Sequence, residues 1–294
     1  MNKVGSTIQQ WVLTPAGWHL DEAVLRTALA SIAAAGFDGI PSDLRPQDMD
    51  ADGFLAVLQE YGLEPGPGYL MVALEDQKPR SEMLDAAQRH LETHLQFGLP
   101  DTFIAAPMSP ERMALPAVGA AFDPDRLKRI IDCIAAVAEV LAAGGVRPAL
   151  HQHVAGWIET EEEIEAVLAA IPPDVLAFGP DTGHLFWAGI DPAAIIARHS
   201  DRVGGIHLKD VHRAVADEAK RAGTAFFPLT MGQHLWTEPG RGDIDFDAVL
   251  DLVSPEQGYD GWYILEVDVP DIGDADASTA YCAQWANQNL RSVG

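Results

Sequence analysis

Eight times along this 294-residue chain, a short apolar or β-branched run is followed by a longer stretch with helical periodicity. The pairs run from "KVGSTIQQ" with "DEAVLRTALASIAAAG" and "FDGIPS" with "DGFLAVLQEYG" to "RVGGIHLKD" with "DIDFDAVLDLV" and "GWYILEVD" with "DASTAYCAQWANQNLRS". No constraint on the fold is stronger, because strands separated by helical crossovers pair in parallel. Local signals agree: Asp123-Pro124 and Thr160 with Glu163 three residues on read as helix starts. Eight units in this length predict an α/β fold, a single (β/α)8 TIM barrel spanning 1–294 as one domain. A doubly wound open sheet is the alternative, but no Gly-rich phosphate loop follows the first strand. The connection 211–242 after the seventh strand is too long for an ordinary βα loop and is expected to be a lid or site wall.

Composition narrows the function. A formal net charge of −25 and no basic run argue against a phosphate-tracking surface, so no nucleic-acid partner is expected. No apolar stretch approaches a membrane span, and the most apolar helical pattern, "IIDCIAAVAEVLAAGG", carries Asp132 and Glu139. The opening "MNKVGSTIQQW" lacks the charged-then-apolar signal pattern, and Cys133 and Cys282 make neither a disulfide framework nor a zinc motif. A cytoplasmic setting is the expectation. Without a secretion signal, the tripeptide Arg241-Gly242-Asp243 does not support an adhesion role.

In a (β/α) barrel the chemistry sits at the C-terminal ends of the strands, and four consecutive strand ends here carry metal-competent groups. Strand five ends in His151-Gln152-His153, and strand six in Asp181 with His184 on the next turn. Strand seven ends in His207-Leu208-Lys209-Asp210, and strand eight in Glu266 with Asp268 two residues later. The spacings His153 to Asp181 (28) and Asp181 to His207 (26) each match one strand–helix unit, and the long excursion accounts for the 59 residues from His207 to Glu266. Any one of these residues alone would read as a structural histidine or a helix-capping aspartate. Together they predict a divalent-metal site of His153, Asp181, His207 and Glu266, with Mn²⁺ or Co²⁺ favoured and Mg²⁺ or Zn²⁺ as alternatives.

The segments "HQHVAGWIET", "DTGHLFWAGIDPAAIIARHSDRVGGIHLKDV", "EPGRGDIDFDAVLDLV" and "YDGWYILEVD" resemble the xylose-isomerase-like barrels of sugar phosphate isomerases and epimerases. Within these the likeness is greatest to the inosose dehydratase branch, over about 150–268. The resemblance implies a metal held from strands five to eight by His153, Asp181, His207 and Glu266, with His184 and Lys209 facing the substrate. It also implies a small keto-sugar or keto-inositol as substrate, and a homo-oligomer is compatible with it. Ketose epimerases of this group carry a Glu at the strand-five position, where this chain has His153. Many relatives place a Glu in a strand-two "GIE" motif, where this chain reads "GIPSD" with Pro41 and Asp43.

The expected activity is therefore that of a metal-dependent lyase dehydrating a cyclic keto-sugar through an enolate, with a ketose isomerase or epimerase as the alternative. Glu266 is the expected base, with His184 or His151 as alternatives. Lys209 is placed to donate to a developing oxyanion, and His184 or Lys209 to protonate the leaving hydroxyl. Glu159 reads either as a contact to a substrate hydroxyl or as the start of the next helix. His151, Trp187 and Trp236 complete the candidate substrate contacts, although both tryptophans suit simple packing equally well.

Overall fold

A computed structural model describes residues 2–14, 16–73, 78–232 and 234–291. Eight parallel strands form its centre: β1 (Val4–Ser6), β2 (Gly39–Pro41), β3 (Glu64–Gly66 continued by Tyr69–Met71), β4 (Asp101–Ala105), β5 (Arg147–Leu150), β6 (Ala177–Phe178), β7 (Ile206–Leu208) and β8 (Tyr263–Leu265). The pairing Gly5↔Ile264 joins β1 to β8, and the bridges Phe178↔Val203 and Asp181↔His207 join β6 to β7, so the sheet closes on itself. The strands are shorter than the sequence runs suggest, and "QQWV" after β1 is a helical turn.

The outer ring is α1 (Glu22–Ala35), α2 (Ala51–Glu60), α3 (Arg80–Phe97), α4 (Pro124–Ala143), α5 (Glu161–Ala170), α6 (Pro192–Arg198), α7 (Phe246–Leu252) and α8 (Ala275–Asn289). All but α3 start at an Asp or Thr whose side chain accepts an N–H of the first turn, and α5 has the full Thr160–Glu163 capping box. Part of the chain's acidity thus serves helix starts, where the unpaired N–H groups and the helix dipole favour negative charge. No described helix is long and apolar enough to cross a membrane.

The main core lies between strands and helices, while Phe103, Ala149, Ala177, Trp262 and Ile264 fill the barrel interior. Phe103 takes the centre, and a Cβ on Gly205 of the neighbouring wall would come within 2.8 Å of its ring. The ring of His207 stands edge-on to Phe103 at 4.6 Å, so the interior packing is the floor of the site.

Strand β3 breaks at Pro67-Gly68, and α3 repairs the break. The Gly68 N–H donates to His94 Nε2 (3.1 Å), and the His94 Nδ1–H donates to the His90 carbonyl (2.9 Å). The Thr102 hydroxyl donates to the Gly68 carbonyl (2.8 Å) and pairs with His90 Nε2 (2.6 Å). Both backbone groups of Gly68 are thus paired, as burial demands.

The excursion after β7 is mostly regular structure rather than loop. Residues Asp210–Val211 pair antiparallel with Trp236–Thr237, and between them run helices Arg213–Ala222 and Phe226–Gly232. The buried Asp210 carboxylate accepts N–H groups from Gly240 (2.9 Å), Gly242 (2.8 Å) and Ile244 (3.2 Å), which fixes the returning "EPGRGDI" segment. Arg241-Gly242-Asp243 therefore belongs to a pinned turn, with Asp243 accepting the Arg213 N–H.

Burial lowers the pKa of His90 to about 3 and of His94 to about 4. Both rings are neutral in the fold but take up protons near pH 6.5 once unfolded. Their contribution to stability is therefore complete above pH 6.5 and is lost as pH falls toward 4. Urea denaturation at pH 7 and pH 5 should show His94→Gln losing less stability on acidification than wild type, by on the order of 2 kcal/mol. Equal losses would contradict this reading.

Candidate active site

The register brings the polar strand ends together. His207 lies in β7 between Asp181 on one side and Ile264 of β8 on the other, and the Glu266 N–H, one residue past β8, donates to the Leu208 carbonyl (3.1 Å). His207 Nδ1 is 2.7 Å from Glu266 Oε2 and 3.9 Å from Asp181 Oδ2. Asp181, His207 and Glu266 each offer an atom within 4.8 Å of the others, and His151, Asp181 and His184 form a second such group. All five residues are buried, and Asp181 belongs to both triads.

Asp181 can do so because its two oxygens have different tasks. Oδ1 caps helix Thr182–Trp187 by accepting the His184 N–H at 2.8 Å, while Oδ2 has no partner. His151 Nδ1, His184 Nε2 and His207 Nε2 are likewise buried without partners. Each such atom costs about 1–3 kcal/mol unless something binds it, and imidazole nitrogens beside carboxylate oxygens are the donor set of a divalent cation. These residues could hold a metal ion.

Lys209 sets the local field. Fully buried, it donates from Nζ to Glu266 Oε1 (2.7 Å) and Asp268 Oδ1 (3.1 Å), and Nζ lies 4.2 Å over the Trp236 ring. Burial opposes its charge, but Asp268, Glu266 and Asp181 outweigh burial and raise its pKa. Burial would raise Glu266, yet Lys209 and His207 hold it well below the usual carboxylate range. Burial pushes Asp181 up to about 7 and Asp268 up to about 6 against the pull of Lys209. His151 and His184 are driven well below the ordinary imidazole value, and His153 down to about 4, with burial the largest cause in each.

A cavity of about 220 Å³ opens above this cluster, with His151, His153, His207 and Glu266 in its lining. His153, expected among the ligands, lies outside both triads. Its Nδ1–H donates to the Val154 carbonyl (2.6 Å), and its ring packs 3.9 Å from that of His184. The structure brings His151 to Asp181 instead, because His151 directly follows β5 while His153 has entered the turn.

Glu159 is not at the cavity. Its carboxylate accepts N–H groups from Ala155 (2.8 Å), Gly119 (2.8 Å) and Ala117 (3.1 Å), which ties the β4 loop to the β5 loop. Trp187 and Trp236 do not line the cavity either. Trp236 stands edge-on to His184 (5.2 Å) and to Trp187 (5.4 Å), and Trp187 stacks on Phe226 of the excursion (5.5 Å). They form the wall behind the histidines. Tyr69, Gln9 and Trp18 do line the cavity and were not singled out from sequence, although they occupy βα connections or strand ends on the same face. Arg112, in the β4 loop, was also missed; it is buried in a bidentate pair with Glu163 and has no signature of its own.

The glycine of "DTGH" serves Lys209. A Cβ at Gly183 would lie 2.9 Å from Lys209 Cβ and 2.8 Å from Cγ, the root of that side chain, where there is least room to yield. Gly183→Ala should therefore destabilise the fold by about 1–3 kcal/mol in urea denaturation. A neutral substitution would contradict this packing.

Comparison with known proteins agrees with this architecture. An inosose dehydratase of Lacticaseibacillus casei is 32% identical over 147 residues, 50% of this chain and 49% of that protein, so this match spans about half the length of the relative. An inosose dehydratase of Bacillus licheniformis is 23% identical with 99% of both chains covered. A xylose isomerase-like TIM barrel protein from Mycobacterium smegmatis, solved in complex with magnesium, superposes with a TM-score of 0.72 at 18% identity, covering 99% of this chain and 97% of that one. The family model of the xylose isomerase-like TIM barrel matches residues 29–287, and the chain belongs to that family.

Proposed function

We propose that this protein is a metal-dependent dehydratase of a cyclic keto-sugar or keto-inositol. The observation that carries the proposal is the pair of buried triads sharing Asp181 at the base of the cavity, beside the Lys209–Glu266 ion pair. The inosose dehydratases among the relatives support it. Asp181, His207 and Glu266 would hold the ion, with His151 taking the strand-five place expected for His153. When bound, the ion supplies Lewis-acid polarisation of the substrate carbonyl.

The remaining steps fall to the chain's own groups. Glu266 is engaged on both oxygens, Oε2 by His207 and Oε1 by Lys209, and would itself hold the ion, so it is not free to act as the base. His153 is better suited: its Nδ1–H is committed to the Val154 carbonyl, so the neutral ring carries its lone pair on Nε2. It takes the proton α to the carbonyl, and the Lys209 ammonium stabilises the negative charge that develops nearby. The imidazolium then returns the proton to the β-hydroxyl, which leaves as water, so a C–H and a C–OH become C=C and H₂O. His184 packs against His153 and fixes its orientation, while Trp187 and Trp236 exclude water behind both rings.

Proton NMR in D₂O of the Mn²⁺-loaded protein with 2-keto-myo-inositol tests the reading. Loss of the β-hydroxyl carbon's original signal and growth of an enol or dione product is expected, with His153→Gln slower by about 100-fold or more. Deuterium appearing beside the carbonyl without water loss would replace the dehydratase with an isomerase or epimerase. Full activity of His153→Gln would remove His153 from the chemistry.

A further inference from the structure

The turn that follows His153 is held in an uncommon backbone shape. Ala155 has a φ of 70°, in the left-handed region, and Ala117 (62°) and Ala121 (55°) of the β4 loop share that region. Alanine has no side-chain group to favour this conformation, so contacts from outside the turn must hold it. They come from Glu159 and Arg112, both buried. Glu159 Oε2 accepts the N–H groups of Ala155 (2.8 Å) and Ala117 (3.1 Å), and Oε1 accepts that of Gly119 (2.8 Å). The Arg112 guanidinium donates to the carbonyls of Gly156 (3.0 Å) and Ala120 (3.1 Å) and lies 3.9 Å from Glu159 Oε1.

The turn meets the site through Val154. The His153 Nδ1–H donates to the Val154 carbonyl (2.6 Å), while the Val154 N–H donates to His184 Nδ1 (3.3 Å). A carbonyl only accepts and a backbone N–H only donates, so the two neutral rings take opposite tautomers. His153 keeps its lone pair on Nε2, and His184 carries its proton there. The Val154 carbonyl and the Ala155 N–H belong to one planar peptide group. A line of hydrogen bonds therefore runs from the His153 ring through that peptide to the Glu159 carboxylate, each bond polarising the next.

We infer that Glu159 is a positioning residue for His153, fixing the tautomer and direction of that ring through the Val154–Ala155 peptide without touching the substrate. The inference rests on the role of His153 in the proposed function and adds what controls the ring. Joining the β4 loop to the β5 loop needs only the bonds to Ala117 and Gly119, since Glu159 is itself in the β5 loop. The bond to Ala155 adds little to that tie and reaches the ring. Without it the peptide is free to turn, Ala155 to leave the left-handed region, and the Val154 carbonyl to leave His153 Nδ1.

Long-range ¹H–¹⁵N NMR of the histidine rings in the metal-free protein at pH 7 tests this without turnover, in wild type, Glu159→Ala and Glu159→Gln, with His153 assigned from His153→Gln. Wild type should show His153 protonated on Nδ1, and Glu159→Ala a mixture of both tautomers. The Gln oxygen can still accept from Ala155, so Glu159→Gln should keep the tautomer but move the Nδ1–H proton upfield, because a neutral acceptor polarises the peptide less. In the Mn²⁺-loaded protein, kcat for dehydration should fall about tenfold or more in Glu159→Ala with KM nearly unchanged, and Glu159→Gln should recover most of the loss. An unchanged His153 pattern or an undiminished kcat in Glu159→Ala, or a wild-type His153 protonated on Nε2, would overturn the inference. Should Glu159→Ala fail to fold, Glu159→Gln decides, an upfield Nδ1–H supporting the inference and an unmoved one overturning it. If wild type dehydrates nothing, or His153→Gln is fully active, the proposed role of His153 falls while the ring spectra still judge what Glu159 positions.

Discussion

The site depends on how one carboxylate is divided. Asp181 Oδ1 is spent on the first turn of helix Thr182–Trp187, which fixes the carboxylate's direction and sets His184 beside it. Oδ2 is left with no hydrogen bond of its own, 3.9 Å from His207 Nδ1. A capping aspartate and a candidate metal ligand are usually rival explanations of the same residue; here the cap is what aims the ligand. The neighbouring strands hold the arrangement in register, because Asp181 and His207 face each other across the β6–β7 bridge while Thr182 Oγ1 clasps the backbone of Lys209 at 2.8 Å and 3.0 Å.

The buried charges balance around this point. Lys209 offsets Glu266 and Asp268, so the floor of the cavity carries a fully buried ammonium without an unpaired positive charge. Burial, the largest cause in each case, keeps the three histidines His151, His153 and His184 neutral beside it. Neutral imidazoles are what ligation and proton abstraction both require. The ion pair and the neutral imidazoles thus share one buried floor, where electrostatic interactions are stronger than in water.

Much of this was legible in the chain. The strand–helix alternation carries the barrel, and unit spacing of Asp181, His207 and Glu266 places them on adjacent strand ends, because both are set by local periodicity. What spacing could not decide is the choice between His151 and His153, two residues apart on the same side of an extended strand: β5 stops at Leu150, so only His151 keeps the strand's direction. Glu159 was read as a site contact or helix start; three backbone N–H groups from two loops claim it, and such a tertiary demand leaves no local pattern. That the excursion is too long for a βα loop shows in the sequence, but its place does not, because it is set by the Asp210 carboxylate and by packing of Phe226 on Trp187, which are tertiary contacts with no local pattern. Trp18 escaped notice for a similar reason, since a two-residue hairpin strand has no periodicity to read.

On this arrangement Asp181 would join the two triads into one cation site, with His151 rather than His153 as its strand-five ligand. Manganese binding followed by electron paramagnetic resonance on wild type, Asp181→Asn, His151→Ala and His153→Gln at pH 7 addresses it most directly. Asn keeps the capping oxygen but loses the charge, so the account predicts one Mn²⁺ per chain in wild type, affinity reduced about 100-fold or more in Asp181→Asn and about tenfold or more in His151→Ala, and binding retained in His153→Gln. Undiminished binding by Asp181→Asn, or loss of binding in His153→Gln with His151→Ala unaffected, would contradict it.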